Sequence, residues 1–68
     1  MTFFEARILE NDARVKAEMA RVYGMVAANE ARDFDKQSPV WGAAAFEMAA
    51  ERIDRLANDI HEAANRLS

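Results

Sequence analysis

Few residues in this chain are equipped for bond chemistry. His61 is the one histidine among 68 residues, and cysteine is absent. A Cys–His nucleophile pair cannot be assembled, and thiolate metal sites are excluded. Neither a glycine-rich phosphate loop nor a Gly-x-Ser-x-Gly elbow occurs in the sequence. A histidine-centred metal site needs further ligands, yet the adjacent Glu62 would point about 100° away from His61 on a helix. The Glu-x-x-His spacing of di-iron bundles is also missing. The expectation is a protein that is not an enzyme, with no catalytic residue, no metal, no cofactor and no small-molecule substrate. In an antiparallel pairing Asp12 falls opposite His61, where an Asp–His contact would serve as a structural bridge.

The remaining candidates are groups that grip another macromolecule. Trp41 and Met48 lie seven residues apart, about 100° off the apolar seam of the second helix. Phe34 and Val40 fall close by at the turn end. Arg52 and Arg55, one turn on, offer planar donors for a carboxylate, and tryptophan and methionine suit a binding surface. These six residues are the partner-binding candidates. The alternative is that Trp41 folds over the connection and caps the core. Arg7, Arg14 and Arg21 repeat every seven residues and line one side of the first helix. Glu10 and Glu18 lie near that stripe. Nine Lys and Arg stand against twelve Asp and Glu, a net charge of −3, which disfavours nucleic acid as the partner.

These side chains have to be positioned by helices. Thr2 followed by Glu5 fits a capping box. From there Phe4, Ile8, Val15, Met19, Val22 and Val26 fall within about 40° of Ile8 on a helical wheel. The series lapses at Asp12 and fades in the polar stretch from Asp33 to Ser38, so the first helix is expected over about residues 3–32 and the turn over 33–38. Ser38-Pro39 reads as an N-cap followed by proline at the first helical position. The second helix is then expected over about 39–67. Along it Gly42, Phe46, Ala49, Ile53, Leu56, Ile60, Ala63 and Leu67 alternate steps of four and three, a heptad seam. The opposite face carries Glu47, Glu51, Asp54, Arg55, Asn58 and Glu62 and is expected to be solvated.

A short turn folds two such helices antiparallel. The fold class is all-α: a two-helix hairpin forming a single domain over residues 1–68, expected to dimerise into a four-helix bundle, because a lone pair leaves much of both apolar stripes wet. The dimer and core candidates are Ile8, Val15, Met19, Val22 and Val26 on the first helix, with Phe46, Ala49, Ile53, Leu56, Ile60 and Leu67 on the second. Ala6, Ala13, Ala17, Ala20, Gly24, Ala28 and Ala31 cluster on the back of the first helix. They are either cheap helix formers or a smooth surface for close helix approach.

The hairpin layout resembles the Rop-type four-helix bundle. In general character the chain is similar to the short, alanine-rich helical proteins with which phages and other mobile elements hold host regulators inactive, including anti-activators of quorum-sensing transcription factors. That resemblance implies a stoichiometric inhibitor. The leading expectation is a homodimeric, non-catalytic module that binds and blocks a host regulatory protein such as a transcription factor. The alternatives are a Rop-like RNA-binding bundle using Arg7, Arg14 and Arg21, or a structural and assembly subunit. The N-terminus lacks the features of a signal peptide, and no stretch is apolar enough to span a membrane. The expected location is the cytoplasm.

Overall fold

The computed structural model describes residues 1–67. Helix α1 spans Phe3–Phe34 and helix α2 spans Ala43–Leu67, and the two pack against each other. The threonine half of the capping box forms: Thr2 Oγ1 accepts a hydrogen bond from the Glu5 N–H at 3.1 Å. With one of the four orphan donors of the first turn satisfied, the helix starts where its apolar periodicity starts.

The end of α1 is a Schellman motif built on lysine. The Gln37 N–H reaches the Arg32 carbonyl at 2.8 Å, and the Lys36 N–H reaches the Asp33 carbonyl at 2.9 Å. Lys36 adopts a left-handed φ of 59°, a conformation that glycine normally supplies. These bonds carry α1 two residues past the expected end.

The start of α2 departs further from expectation. Ser38 and Pro39 do not open a helix; they lie in the connection, and α2 begins at Ala43. The Gly42 carbonyl accepts from Ala45 at 3.1 Å and Phe46 at 3.5 Å, so Gly42 ends the connection and is not the first seam residue. The cause is a long-range contact. The Asn29 side chain bonds both the N–H and the carbonyl of Trp41, each at 2.9 Å. The Trp41 carbonyl, which would accept from an amide four residues on if the helix started at Pro39, is instead taken by the Asn29 side-chain amide.

The inward face of α1 is a strict heptad row: Phe4, Ile8, Asn11, Val15, Glu18, Val22, Met25 and Asn29 are all buried or half-buried. Three of the eight are polar, so a count of apolar residues does not find the row. Met19, expected inward, is 42% exposed, and Val26 is exposed as well. Glu18 and Met25 occupy the inward positions beside them, Glu18 against Arg52 and Met25 close to Ala45. At the lapse near Asp12 the core position belongs to Asn11, only 4% exposed. On α2 the ridge Ala49, Leu56 and Ala63 faces α1, with Ala45, Arg52 and Asp59 on one flank and Phe46, Ile53 and Ile60 on the other. Leu67 ends the seam exposed in the last turn.

The hairpin measures 52 × 19 × 11 Å, a slab two helices wide and one helix thick. Such a slab has two broad faces and no interior layer. Among the described residues only Met25, Ala49 and Ala63 are buried apolar residues, and no large side chain is fully buried. No helix is long and apolar enough to cross a membrane among the described residues.

Candidate functional site

The two broad faces differ in chemistry. On one, Val26 and Phe46 line a common depression, and the rows continue through Met19 on α1 and Ile53 and Ile60 on α2. Ala50, Ala57 and Ala64 lie about 40° beyond that row on the α2 wheel and are exposed. This face is apolar along α2, whereas on the α1 side Met19 and Val26 share their row with Asp12 and Asp33, and Glu30 and Asp33 edge the depression.

The other face collects arginines. Arg14 and Arg21 of α1 meet Arg52 and Arg55 of α2 around a groove of about 390 Å³ whose floor includes Ala17 and Leu56. Antiparallel pairing explains the convergence: the seven-residue repeat of Arg14 and Arg21 flanks Glu18, and Glu18 sits against Arg52. Glu18 Oε1 is 3.1 Å from Arg52 Nε and 3.5 Å from Arg21 Nη1. The Glu18 side chain is only 13% exposed. Its Oε2 is buried without a hydrogen-bond partner, and so is Arg52 Nε, because the guanidinium approaches Oε1 too obliquely for its N–H to point at it. One carboxylate thus serves two guanidinium groups through charge, with one of its own oxygens unused.

The remaining arginines of the groove are differently placed. Arg14 pairs along the helix with Glu10. Arg55 makes no ion pair with any described residue. Toward the open end of the hairpin the arginine character fades: Arg7 lies 3.7 Å from Asp59, and Glu62 and Arg66 form a looser pair at 3.8 Å.

Next to the groove is a second hollow, lined by Met25, Trp41, Ala45 and Met48 and sharing Arg21 and Arg52 with it. Trp41 is 43% exposed, with its backbone held by Asn29. The structure therefore brings together Trp41, Met48 and Arg52, with Arg55 in the adjoining groove. Phe34 and Val40 do not line this hollow; both are exposed near the connection. Asn29 is the residue that sequence reading misses. Its only sequence-level signal is a polar residue in phase with the α1 heptad row, one that a search for apolar periodicity passes over.

The Asp12–His61 bridge does not form. Asp12 Oδ2 lies 2.9 Å from Lys16 Nζ, and His61 Nε2 lies 3.3 Å from Asn65 Nδ2. Each finds a partner one turn away on its own helix, which needs no register between helices. Among the described residues no three of His, Cys, Asp and Glu cluster as metal ligands would. The small-residue back of α1 stays exposed apart from Ala28, and a Cβ added at Gly24 would meet nothing within 4 Å.

No protein-family model, curated protein sequence or solved structure matches this chain.

Proposed function

We propose that this chain is a non-catalytic interaction module. Two copies pack apolar face to apolar face as a four-helix bundle, and the dimer acts in the cytoplasm by occupying and blocking a regulatory protein such as a transcription factor. The observation that carries this reading is the concentration of apolar side chains from both helices on one broad face of a slab in which, among the described residues, no large side chain is fully buried. That face runs about 37 Å along α2 at 1.5 Å per residue and is 19 Å wide. Its area is on the order of the 800 Å² per partner that stable interfaces bury. A two-fold arrangement sets the same rows against each other, as an isologous dimer requires, and it leaves both arginine faces outward. Sedimentation equilibrium at micromolar concentration is expected to report a dimer. A fully helical monomer at that dilution overturns the bundle.

A second reading, an RNA-binding bundle, is favoured by the meeting of Arg14 and Arg21 with Arg52 and Arg55. Against it stand Glu10 and Glu18, which already engage three of these arginines, and the net charge of −3. Reversing the charges of Arg14 and Arg21 would flatten the salt dependence of any RNA retention. Salt-sensitive retention by the wild-type protein would promote this reading.

A further inference from the structure

We infer that the arginine face is a recognition groove for an acidic amphipathic helix of another protein, which inserts a large apolar side chain beside Trp41 and places carboxylates on Arg55 and Arg52 about two helical turns away. The inference rests on the reading of the chain as a protein-binding module and specifies the chemistry of the partner.

Three observations support it. First, the apolar hollow and the arginine groove are continuous, joined at Arg21 and Arg52. Met48 and Arg55 sit one heptad apart on α2, about 10 Å at 1.5 Å per residue. A helix laid along the groove meets that spacing with side chains seven residues apart on one of its faces, the helix-in-groove mode of recognition. Second, the hollow is preorganised. Asn29 holds both main-chain groups of Trp41, so the indole stands beside Met25 and Met48 without a loop having to order on binding. Third, the electrostatics are unfinished. Arg55 has no ion pair with a described residue, and Arg52 Nε is buried with no hydrogen bond although Glu18 is adjacent. Arginine's planar fork binds a carboxylate in two-point fashion. The buried Arg52 Nε faces Glu18, so an incoming carboxylate would meet the exposed Arg55 and the part of the 35%-exposed Arg52 side chain that stays open to solvent.

The positive region is also short. Beyond the groove the face passes to Arg7, Asp59, Glu62 and Arg66, whose charges offset one another in the pairs Arg7–Asp59 and Arg66–Glu62. A phosphate backbone would find no net positive track there, whereas a protein helix with two local carboxylates needs none. An extended polyanion needs a basic track along its whole path. This face has only a patch.

Trp41 is the single tryptophan, so its emission reports on the hollow. The probe is a tryptophan-free helical peptide of roughly 20 residues carrying a leucine and, two turns on, a pair of glutamates. A control peptide has glutamines in their place. The glutamate peptide is expected to shift Trp41 emission saturably and to bind roughly tenfold more tightly than the control, as a charge-assisted Arg–carboxylate contact should. Arg55→Ala is expected to abolish that difference. The arginine is exposed and unpaired among the described residues, so its removal should leave helicity by circular dichroism unchanged. Glu18→Gln is expected to tighten binding of the glutamate peptide, since it removes the internal carboxylate competing for Arg52, an effect a merely structural glutamate would not produce. Equal binding of the two peptides, no emission change at saturating peptide, or preferential binding of a single-stranded RNA oligonucleotide at the same salt would each overturn the inference. If Glu18→Gln fails to fold, the peptide pair and Arg55→Ala still decide it. Sedimentation of the same samples separates the two levels: a dimer that ignores the peptide refutes the groove and leaves the bundle standing, whereas a monomer that binds it does the reverse.

Discussion

The two broad faces of the hairpin grow from the same seam yet carry opposite chemistry, and a single step around the α2 helix separates them. On one flank of the Ala49–Leu56–Ala63 ridge the chain places Phe46, Ile53 and Ile60; on the other it places Ala45, Arg52 and Asp59. On α1, Met19 and Val26 continue the first flank, while Arg14 and Arg21 continue the second. The contrast teaches how a slab only one helix thick can be given sidedness. Apolar rows on one face invite burial. Burying the other face would desolvate four guanidinium groups around one glutamate, which is costly. The pair Glu18–Arg52 also specifies register. A slip of one heptad would set Glu18 against Asp59 or Ala45 and strand two half-buried charges, as polar residues at seam positions do in coiled coils.

The comparison breaks most decisively at Ile53. Ile53→Ala is expected to cost about 2–5 kcal/mol if the apolar face is covered by a second copy. In the lone hairpin Ile53 is only half-buried, and a loss near 1 kcal/mol in thermal or urea unfolding would mean that the face stays open. The next largest effect is expected at Asn29. Asn29→Ala removes two hydrogen bonds to Trp41 and is expected to cost about 1–3 kcal/mol, with Trp41 emission moving toward that of exposed indole. An unchanged emission maximum would show that the indole is held by something other than its backbone.

Trp41 itself separates binding from folding. At 43% exposure its truncation to alanine is expected to cost about 1 kcal/mol of stability, far less than the ~3–5 kcal/mol of a fully buried aromatic. The same change is expected to weaken partner capture by about 2 kcal/mol or more. A stability loss at the upper figure, with capture intact, would make Trp41 a cap on the bundle and remove it from the binding face. The smallest expected effect lies outside both faces and serves as a control. Lys36→Gly, at a left-handed φ of 59°, is expected to stabilise the hairpin by about 0.5–1 kcal/mol by relieving Cβ strain. It should change neither dimerisation nor peptide binding.

Much of this architecture is legible in the chain before any coordinates. Periodicity and the Thr2 cap show two long helices, because both are local signals that a helix reads within a few residues of itself. The antiparallel hairpin follows from a connection too short for any other arrangement. The row Phe46, Ile53 and Ile60 is readable because α2 concentrates its large aliphatic residues there. The rest depended on contacts between residues far apart in sequence. A proline after a serine is a sound helix start in isolation, but Asn29, twelve residues upstream of Trp41, claims the main chain there and moves the start of α2 to Ala43.

The inward row of α1 escapes a search for apolar spacing because Asn11, Glu18 and Asn29 occupy seam positions, and only their partners on α2 or in the connection explain polar residues there. Arg14 and Arg21 are legible as a stripe on one helix, and Arg52 and Arg55 as candidate donors on the other, but across about forty residues of sequence nothing local shows that the two pairs meet. Antiparallel pairing gathers them into one groove. Two amphipathic helices folded back on each other can be read from the chain alone, since helix periodicity and turn length are properties of neighbouring residues. Which flank of each stripe turns inward, where the second helix starts and which charges share a site are settled by side-chain contacts across the hairpin, between residues far apart in sequence, and so appear only in the folded chain.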